Sequence, residues 1–385
     1  MGYFDHCAST PLSKIVLESW VSIYEEYYAN PSSPHAAGEK CNQLLCEARN
    51  TISEILQCSP GSLYFTSSAT EAANILIQGR SAFLNQIKST DNEIIISTIE
   101  HSAVKEPARF LSKKGWNVKE ISVDINGLIN IKQLLDSVSD NTGIVSLIAV
   151  NNEIGVVQDI NYLASRIKEK KPSVFIITDA SQALGKTIKT FDLEKVDAFF
   201  VSGQKIGAPR GTGFFYLNPQ IRLSPLLYGG GQESGYRPGT NDVVGAKMLS
   251  LAFEQRCYNI ESNIKYVKRL NTLLIQCLKN QGVEFFLSID PKNSSPYILS
   301  IVFPFIRSNH LIKLLSEQGH YLSGKSACSS ACQVESPIFL ALKNHQEYTG
   351  NVVRISFGIE NSIKEVEDLA MSIASIYKSA CCTNA

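Results

Sequence analysis

No apolar run in the 385-residue chain approaches the length of a membrane-spanning helix. The opening residues MGYFDHCAST contain neither a basic n-region nor an apolar h-region, so no secretory leader is expected and the protein reads as cytoplasmic. A charge excess is missing as well: 36 Lys and Arg face 36 Asp and Glu. Without a net field nothing recruits nucleic acid or an anionic membrane to the whole surface, and no direct partnership with either is expected. Repeats, low-complexity tracts and an obvious linker are absent, which implies one continuous folded unit. The ten cysteines are scattered along a chain too large to need stapling, so reduced thiols are expected instead of a disulfide framework. The terminal CTNA has the Cys-x-x-Ala form, but Thr383 and Asn384 are not aliphatic, and prenylation is not expected. A G-x-x-x-x-G-K-S/T loop is also lacking, which argues against a phosphate-loop NTPase.

What remains, 44% hydrophobic and 19% charged, is an ordinary globular composition in a chain long enough for two domains. Between about residues 60 and 220 the short apolar runs SLYF, EIIIST, IVSLIAV, VFIIT, AFFVS and GFFYL alternate with helical stretches such as TEAANILIQGRSAFL. That alternation predicts an α/β fold with a mostly parallel sheet covered on both faces. After about residue 255 a long helical pattern, NIKYVKRLNTLLIQCLKNQ, is followed by YILSIVF and VVRISF, which predicts a smaller α+β domain.

Ligands in such sheets bind at the carboxyl ends of the strands, so the residues that follow each run are the candidates. Ser68, Ala69 and Thr70 open a helix, where free N–H groups and the dipole suit a phosphate. Later runs end in Glu100-His101, in Asn151-Asn152, in Asp179 with Gln182 one turn on, and in Ser202-Gly203-Gln204-Lys205. Each alone has a structural reading: a helix cap, a core imidazole, a lysine reaching out of a turn. Together they match one cofactor, because pyridoxal 5'-phosphate needs a Schiff-base lysine, a carboxylate for its pyridine nitrogen and an anion site.

Ten ordered motifs carry a more specific signal: FDHCAST, NPSSPH, TSSATEAAN, EHSAV, VNNEIGVVQDI, TDASQALGK, SGQKIGAPRGTG, GGGQESGYRPGTND, SGKSACSSA and VRISFG. Over nearly the whole chain they resemble the cysteine desulfurases of the NifS/IscS family, pyridoxal-phosphate enzymes of fold type I, the aspartate aminotransferase fold. The resemblance implies a homodimer with active sites near the subunit interface. It also implies a large cofactor domain over residues 15–255 and a small domain made of 1–14 and 256–385 that carries a loop at about 322–337. Lys205 would be the Schiff-base lysine, Asp179 the partner of the pyridine nitrogen, and His101 the ring that stacks on the cofactor and shuttles protons. Gln182 and Asn152 would face the phenolic oxygen and the substrate, and Ala69, Thr70, Ser202 and Gln204 the phosphate. Thr240 would reach the phosphate from the other subunit, and Arg354 would fork onto the substrate carboxylate.

The resemblance makes Cys328, in the small-residue stretch LSGKSACSSACQVESP, the nucleophile on a surface loop. L-cysteine would become L-alanine, with sulfur held on Cys328 as a persulfide and passed to an acceptor protein for iron-sulfur cluster, tRNA or DNA sulfur modification. Cys277, in the apolar LLIQCL, reads as a buried structural cysteine, and Lys325 either helps ionise Cys328 or is simply solvated. Three positions depart from the family pattern. Ser68 stands where Gly is usual, Gln204 where His is usual, and Cys332 is an extra thiol; weaker cofactor binding and an inert Cys332 are expected. Two alternatives stay open: a selenocysteine lyase or other fold-type-I enzyme, which does not need Cys328, and a non-catalytic sulfur-transfer scaffold.

Overall fold

The computed structural model describes residues 1–188, 191–324, 337–342 and 346–383. The expected Cys328, Lys325 and Cys332 lie outside the described residues. Its strands are β1 (Gly2–Tyr3), β2 (Leu63–Thr66), β3 (Glu93–Ser97), β4 (Asn117–Ile121), β5 (Thr142–Ile148), β6 (Phe175–Asp179), β7 (Ala198–Ser202), β8 (Gly213–Leu217), β9 (Phe286–Leu287), β10 (Ile298–Val302), β11 (His320–Tyr321) and β12 (Val352–Ser356). Its helices are α1 (Lys14–Glu26), α2 (Ala36–Leu56), α3 (Ala69–Gln86), α4 (Ser102–Lys113), α5 (Ile131–Ser137), α6 (Ile160–Lys170), α7 (Val243–Tyr258), α8 (Ile260–Asn280), α9 (Ser308–Glu317), α10 (Pro337–Ala341) and α11 (Ile363–Thr383).

Seven strands form the main sheet in the order β2-β8-β7-β6-β5-β3-β4, parallel except where β8 pairs with β2 and β7. All six apolar runs read from the sequence are strands of this sheet. Alternation within them sorts the side chains between two faces. Ala198, Phe200 and Phe215 pack with α3 and α4, whereas Phe199, Val201, Phe214 and Tyr216 pack with α1, α2 and α7. Burying each of these phenylalanines contributes about 1.5–3 kcal/mol, so the centre of the sheet is a rigid platform. β4 is the strand that no apolar run announced. Its residues NVKEI lie on the sheet edge, where charged side chains keep further pairing away and leave little hydrophobic pattern to read.

After α7 the packing partner changes: α7 lies on α1 and α2, while α8 packs on α11. A three-stranded antiparallel sheet, β12-β10-β9, completes this later part. The first residues of the chain join it. β1 pairs in parallel with β11, Phe4 O accepts from Ser356 N (2.8 Å), and Asn361 Nδ2 donates to Tyr3 O (2.9 Å). Cys277 differs from expectation. Leu274 and Leu278 take the inward positions of α8, which leaves Cys277 half-buried on its flank. The seven described cysteines whose state is given are all free thiols.

Candidate active site

The carboxyl ends of β3, β5, β6 and β7 meet at a cavity of about 170 Å³. His101, Asn152, Asp179 and Gln182 line it, as do Ser202, Gln204 and Lys205, and the start of α3 closes one side with Ser68, Ala69 and Thr70. Arg354, from β12, enters from the later part of the chain. Ten of the twelve expected site residues thus share one wall. Thr240 is exposed and does not line this cavity, and Cys328 lies outside the described residues.

Local sequence explains how these groups are held. Ser68 is the N-cap of α3, with extended backbone and its Oγ accepting from Glu71 N (3.1 Å), so the departure from Gly costs no backbone strain and adds a cap. Across from it, Gly213 must stay without a side chain, because a Cβ there would meet Val201 O at 2.7 Å and the Ser68 carbonyl carbon at 3.1 Å. Lys205 ends a single 3₁₀ turn, Gly203–Lys205, between β7 and β8, and Gly207 at φ +87° lets the chain turn back. The Lys205 ammonium donates to Ala8 O (2.6 Å).

His101 caps α4 through its own ring: Nδ1 accepts from Ala103 N (3.1 Å). An imidazole that accepts at Nδ1 carries its proton on Nε2, so His101 faces the cavity as a hydrogen-bond donor. Asp179 is held by Ser181 N on Oδ1 (2.9 Å). Gln182 is engaged at both ends of its amide, Nε2 donating to Cys7 O (3.1 Å) and Oε1 accepting from Lys186 Nζ (2.7 Å). Burial pushes the Lys186 ammonium down to about 8, against the opposing pull of Cys7. Arg354 is 2% exposed; Nη2 donates to Asp5 Oδ1 (2.6 Å) and Nη1 to Asn152 O (2.9 Å). Ser323 Oγ takes the other Asp5 oxygen (2.9 Å), which fixes the carboxylate that orients the guanidinium.

A family model described as Aminotransferase class-V matches residues 2–369. The cysteine desulfurase IscS of Neisseria meningitidis serogroup C (strain 053442) is 32% identical over 380 residues, which span 97% of this chain and 91% of its own. The chain belongs to the NifS/IscS family of cysteine desulfurases. Among solved structures, a NifS-like protein at 31% identity covers 98% of this chain and 99% of its own with a TM-score of 0.91. The structure of SspA in complex with cysteine, at 27% identity, covers 94% and 100% with a TM-score of 0.81. Pyridoxal phosphate is the cofactor of this family, and the wall fits it. Ser181 Oγ and Asn152 Oδ1 are buried on the cavity side with no partner among the described residues, so they await a polar ligand. Beside them lie a lysine, a carboxylate and a helix N-terminus.

Among the residues of the wall and its support that were not expected are Asp5, Cys7, Ala8, Ser181 and Lys186. Lys186 follows Gln182 by four residues within TDASQALGK, a spacing that brings two side chains together on a helical turn and was open to reading. Asp5, Cys7 and Ala8 lie in FDHCAST, a motif read from the sequence without a role for its residues.

Proposed function

We propose that this chain is a pyridoxal-phosphate-dependent cysteine desulfurase that converts L-cysteine to L-alanine and moves the sulfur to Cys328. The observation that carries this reading is the convergence of Lys205, Asp179, His101 and Arg354 on one cavity next to a helix N-terminus. Bound there, the cofactor supplies an electron sink for charge developing at the substrate Cα. With it bound, Lys205 would hold the cofactor and move the Cα proton, Asp179 would partner the pyridine nitrogen, and His101 would lie against the ring. Ala69, Thr70, Ser202 and Gln204 would hold the phosphate, and Gln182 and Asn152 would serve the phenolic and substrate side. Arg354 orients the substrate carboxylate. The Cys328 thiolate attacks the substrate sulfur; the C–S bond breaks, its electron pair stays with carbon, and the carbon is then protonated to give alanine. The persulfide passes to an acceptor protein.

The protein acts as a cytosolic homodimer. Leu17, Val21, Tyr24 and Tyr28 form one exposed stripe along and just beyond α1, and Leu227 and Tyr228 are exposed on the segment leading to Thr240. Such an exposed apolar stripe supports an interface between two copies, and an exposed Thr240 that does not line its own cavity is consistent with a role at the partner's. The division into residues 15–255 and 1–14 with 256–385 is supported by the change of packing between α7 and α8. Among the described residues no helix is long and apolar enough to cross a membrane.

Cys328→Ser tests the reading. The variant binds L-cysteine, seen as a change in the cofactor's visible spectrum, but releases almost no alanine, because a hydroxyl is scarcely ionised near neutral pH. Mass spectrometry of the parent finds one added sulfur on Cys328. Alanine release at the parent rate from Cys328→Ser would favour a lyase that expels sulfide directly.

A further inference from the structure

Glu233 has no part in the reading above, yet its side chain is only 1% exposed and anchors the segment that carries Thr240. Its Oε1 accepts from Arg49 Nη2 (2.8 Å) and Asn241 Nδ2 (2.7 Å), and its Oε2 from Arg49 Nη1 (2.9 Å) and Phe65 N (2.9 Å). Four accepted hydrogen bonds fill the lone pairs of a carboxylate. They join three places: α2 through Arg49, the edge strand β2 through Phe65, and the residue that follows Thr240. Arg49 also lies over the Phe65 ring, 4.9 Å from its centre.

The residue before Thr240 is held as well. Gln232 Oε1 accepts from Gly239 N (3.1 Å), and a Cβ on Gly230 would meet that oxygen at 2.5 Å. Two consecutive side chains thus clamp both neighbours of Thr240, while Thr240 itself is exposed. The clamp is built on unfavourable backbone. Glu233 and Ser234 are both left-handed, at φ 46° and 54°, and among the described residues no other adjacent pair of non-glycine residues is. Glycine adopts this region freely, and the segment has glycine at 229, 230, 231, 235 and 239, yet glutamate occupies position 233. Such backbone persists where surrounding contacts over-determine it, and it clusters where a group must be placed for function. Sealing the free N–H of the β2 edge accounts for one of the four hydrogen bonds to Glu233 and not for the hold on both sides of Thr240.

We propose that Glu233 is a positioning residue that acts across the subunit boundary: with Gln232 it fixes the backbone of residues 239–241 so that Thr240 meets the phosphate bound by the partner. This rests on the reading of the dimer in which Thr240 serves the other chain's cavity. The consequence is directional. A defect at Glu233 weakens the cofactor site of the partner and largely spares the site of its own chain.

The test uses mixed dimers of two differently tagged chains. One chain keeps Lys205 and the other carries Lys205→Ala, so each dimer has a single site that forms a reducible Schiff base. Thr240→Ala, Glu233→Gln or Asn241→Ala is placed on either chain, and pyridoxal phosphate is titrated, with Kd read from the Schiff-base absorbance and from the borohydride-fixed mass on the Lys205 chain. Placed on the Lys205→Ala chain, each change raises Kd about tenfold, as expected for one lost hydrogen bond to a charged group, and placed on the Lys205 chain by less than about twofold. In Glu233→Gln the amide turns an N–H toward donors in either orientation. Asn241→Ala leaves the Arg49 pair intact and carries the test if Glu233→Gln fails to fold. Equal weakening from both placements overturns the proposal, since a merely structural residue behaves that way. So does a parent Kd with Glu233→Gln or Asn241→Ala on the Lys205→Ala chain when Thr240→Ala there raises it. If Thr240→Ala on the Lys205→Ala chain changes nothing, or the tagged chains form no dimer, the reading of the dimer fails first and takes the proposal with it.

Discussion

Replacing Arg354 separates substrate recognition from cofactor binding, provided its second job is controlled. Its guanidinium is buried, with Nη2 on Asp5 and Nη1 on Asn152 O. Arg354→Ala removes a charge-assisted pair to the cysteine carboxylate worth about 1.5–3 kcal/mol, which raises KM roughly 10–150-fold. The same change strands Asp5, whose side chain is 18% exposed, and breaking a buried pair from one side costs about 3–5 kcal/mol of stability. A loss of activity in Arg354→Ala alone is therefore ambiguous. Arg354→Lys resolves it: an ammonium still neutralises Asp5 but cannot fork onto a carboxylate, so stability is largely kept while KM still rises by about tenfold. The assay measures KM from alanine release, cofactor Kd by spectral titration and Tm by calorimetry on all three proteins. The reasoning is refuted if Arg354→Lys keeps the parent KM, or if cofactor Kd weakens as much as KM does.

Two further outcomes are expected. Borohydride treatment of the parent fixes the cofactor covalently and adds its mass at Lys205, whereas Lys205→Ala yields only unmodified protein; a reducible adduct in that variant would place the Schiff base elsewhere. Val21→Asp puts like charges into two facing apolar stripes, at a cost of several kcal/mol, so sedimentation should show monomer, with weaker cofactor binding because Thr240 no longer reaches across; an unshifted dimer would mean that α1 faces solvent.

The platform and most of the wall were legible because buried parallel strands read as unbroken apolar runs, and ligand-facing residues sit where those runs stop. β4 escaped because an edge strand is written in charges. Asp5 and Ala8 escaped for a different reason: Asp5 meets Arg354 across 349 residues, and no local period encodes such a meeting. Glu100 was visible beside His101, but a glutamate after a strand looks the same whether it is solvated or sealed. Only the packing of β5 against its carboxyl shows that it is sealed. Thr240 was placed by resemblance alone, and a single chain leaves it on the surface.

The long reach from Asp5 to Arg354 also sets a timetable. At the usual 5–20 residues per second of synthesis, Asp5 leaves the ribosome about 20–70 s before Arg354 does. During that wait the main sheet can assemble and offer Gln182, Gln204 and Lys205 to the opening segment, but the segment's other partners, at His320, Arg354 and Ser356, do not yet exist. Until then the opening segment is held from one side only, by the main sheet and the turn that carries Lys205. A nascent or stalled product can thus own a finished sheet and a correctly placed lysine without being an enzyme, and desulfurase activity reports on chains that have been made to the end.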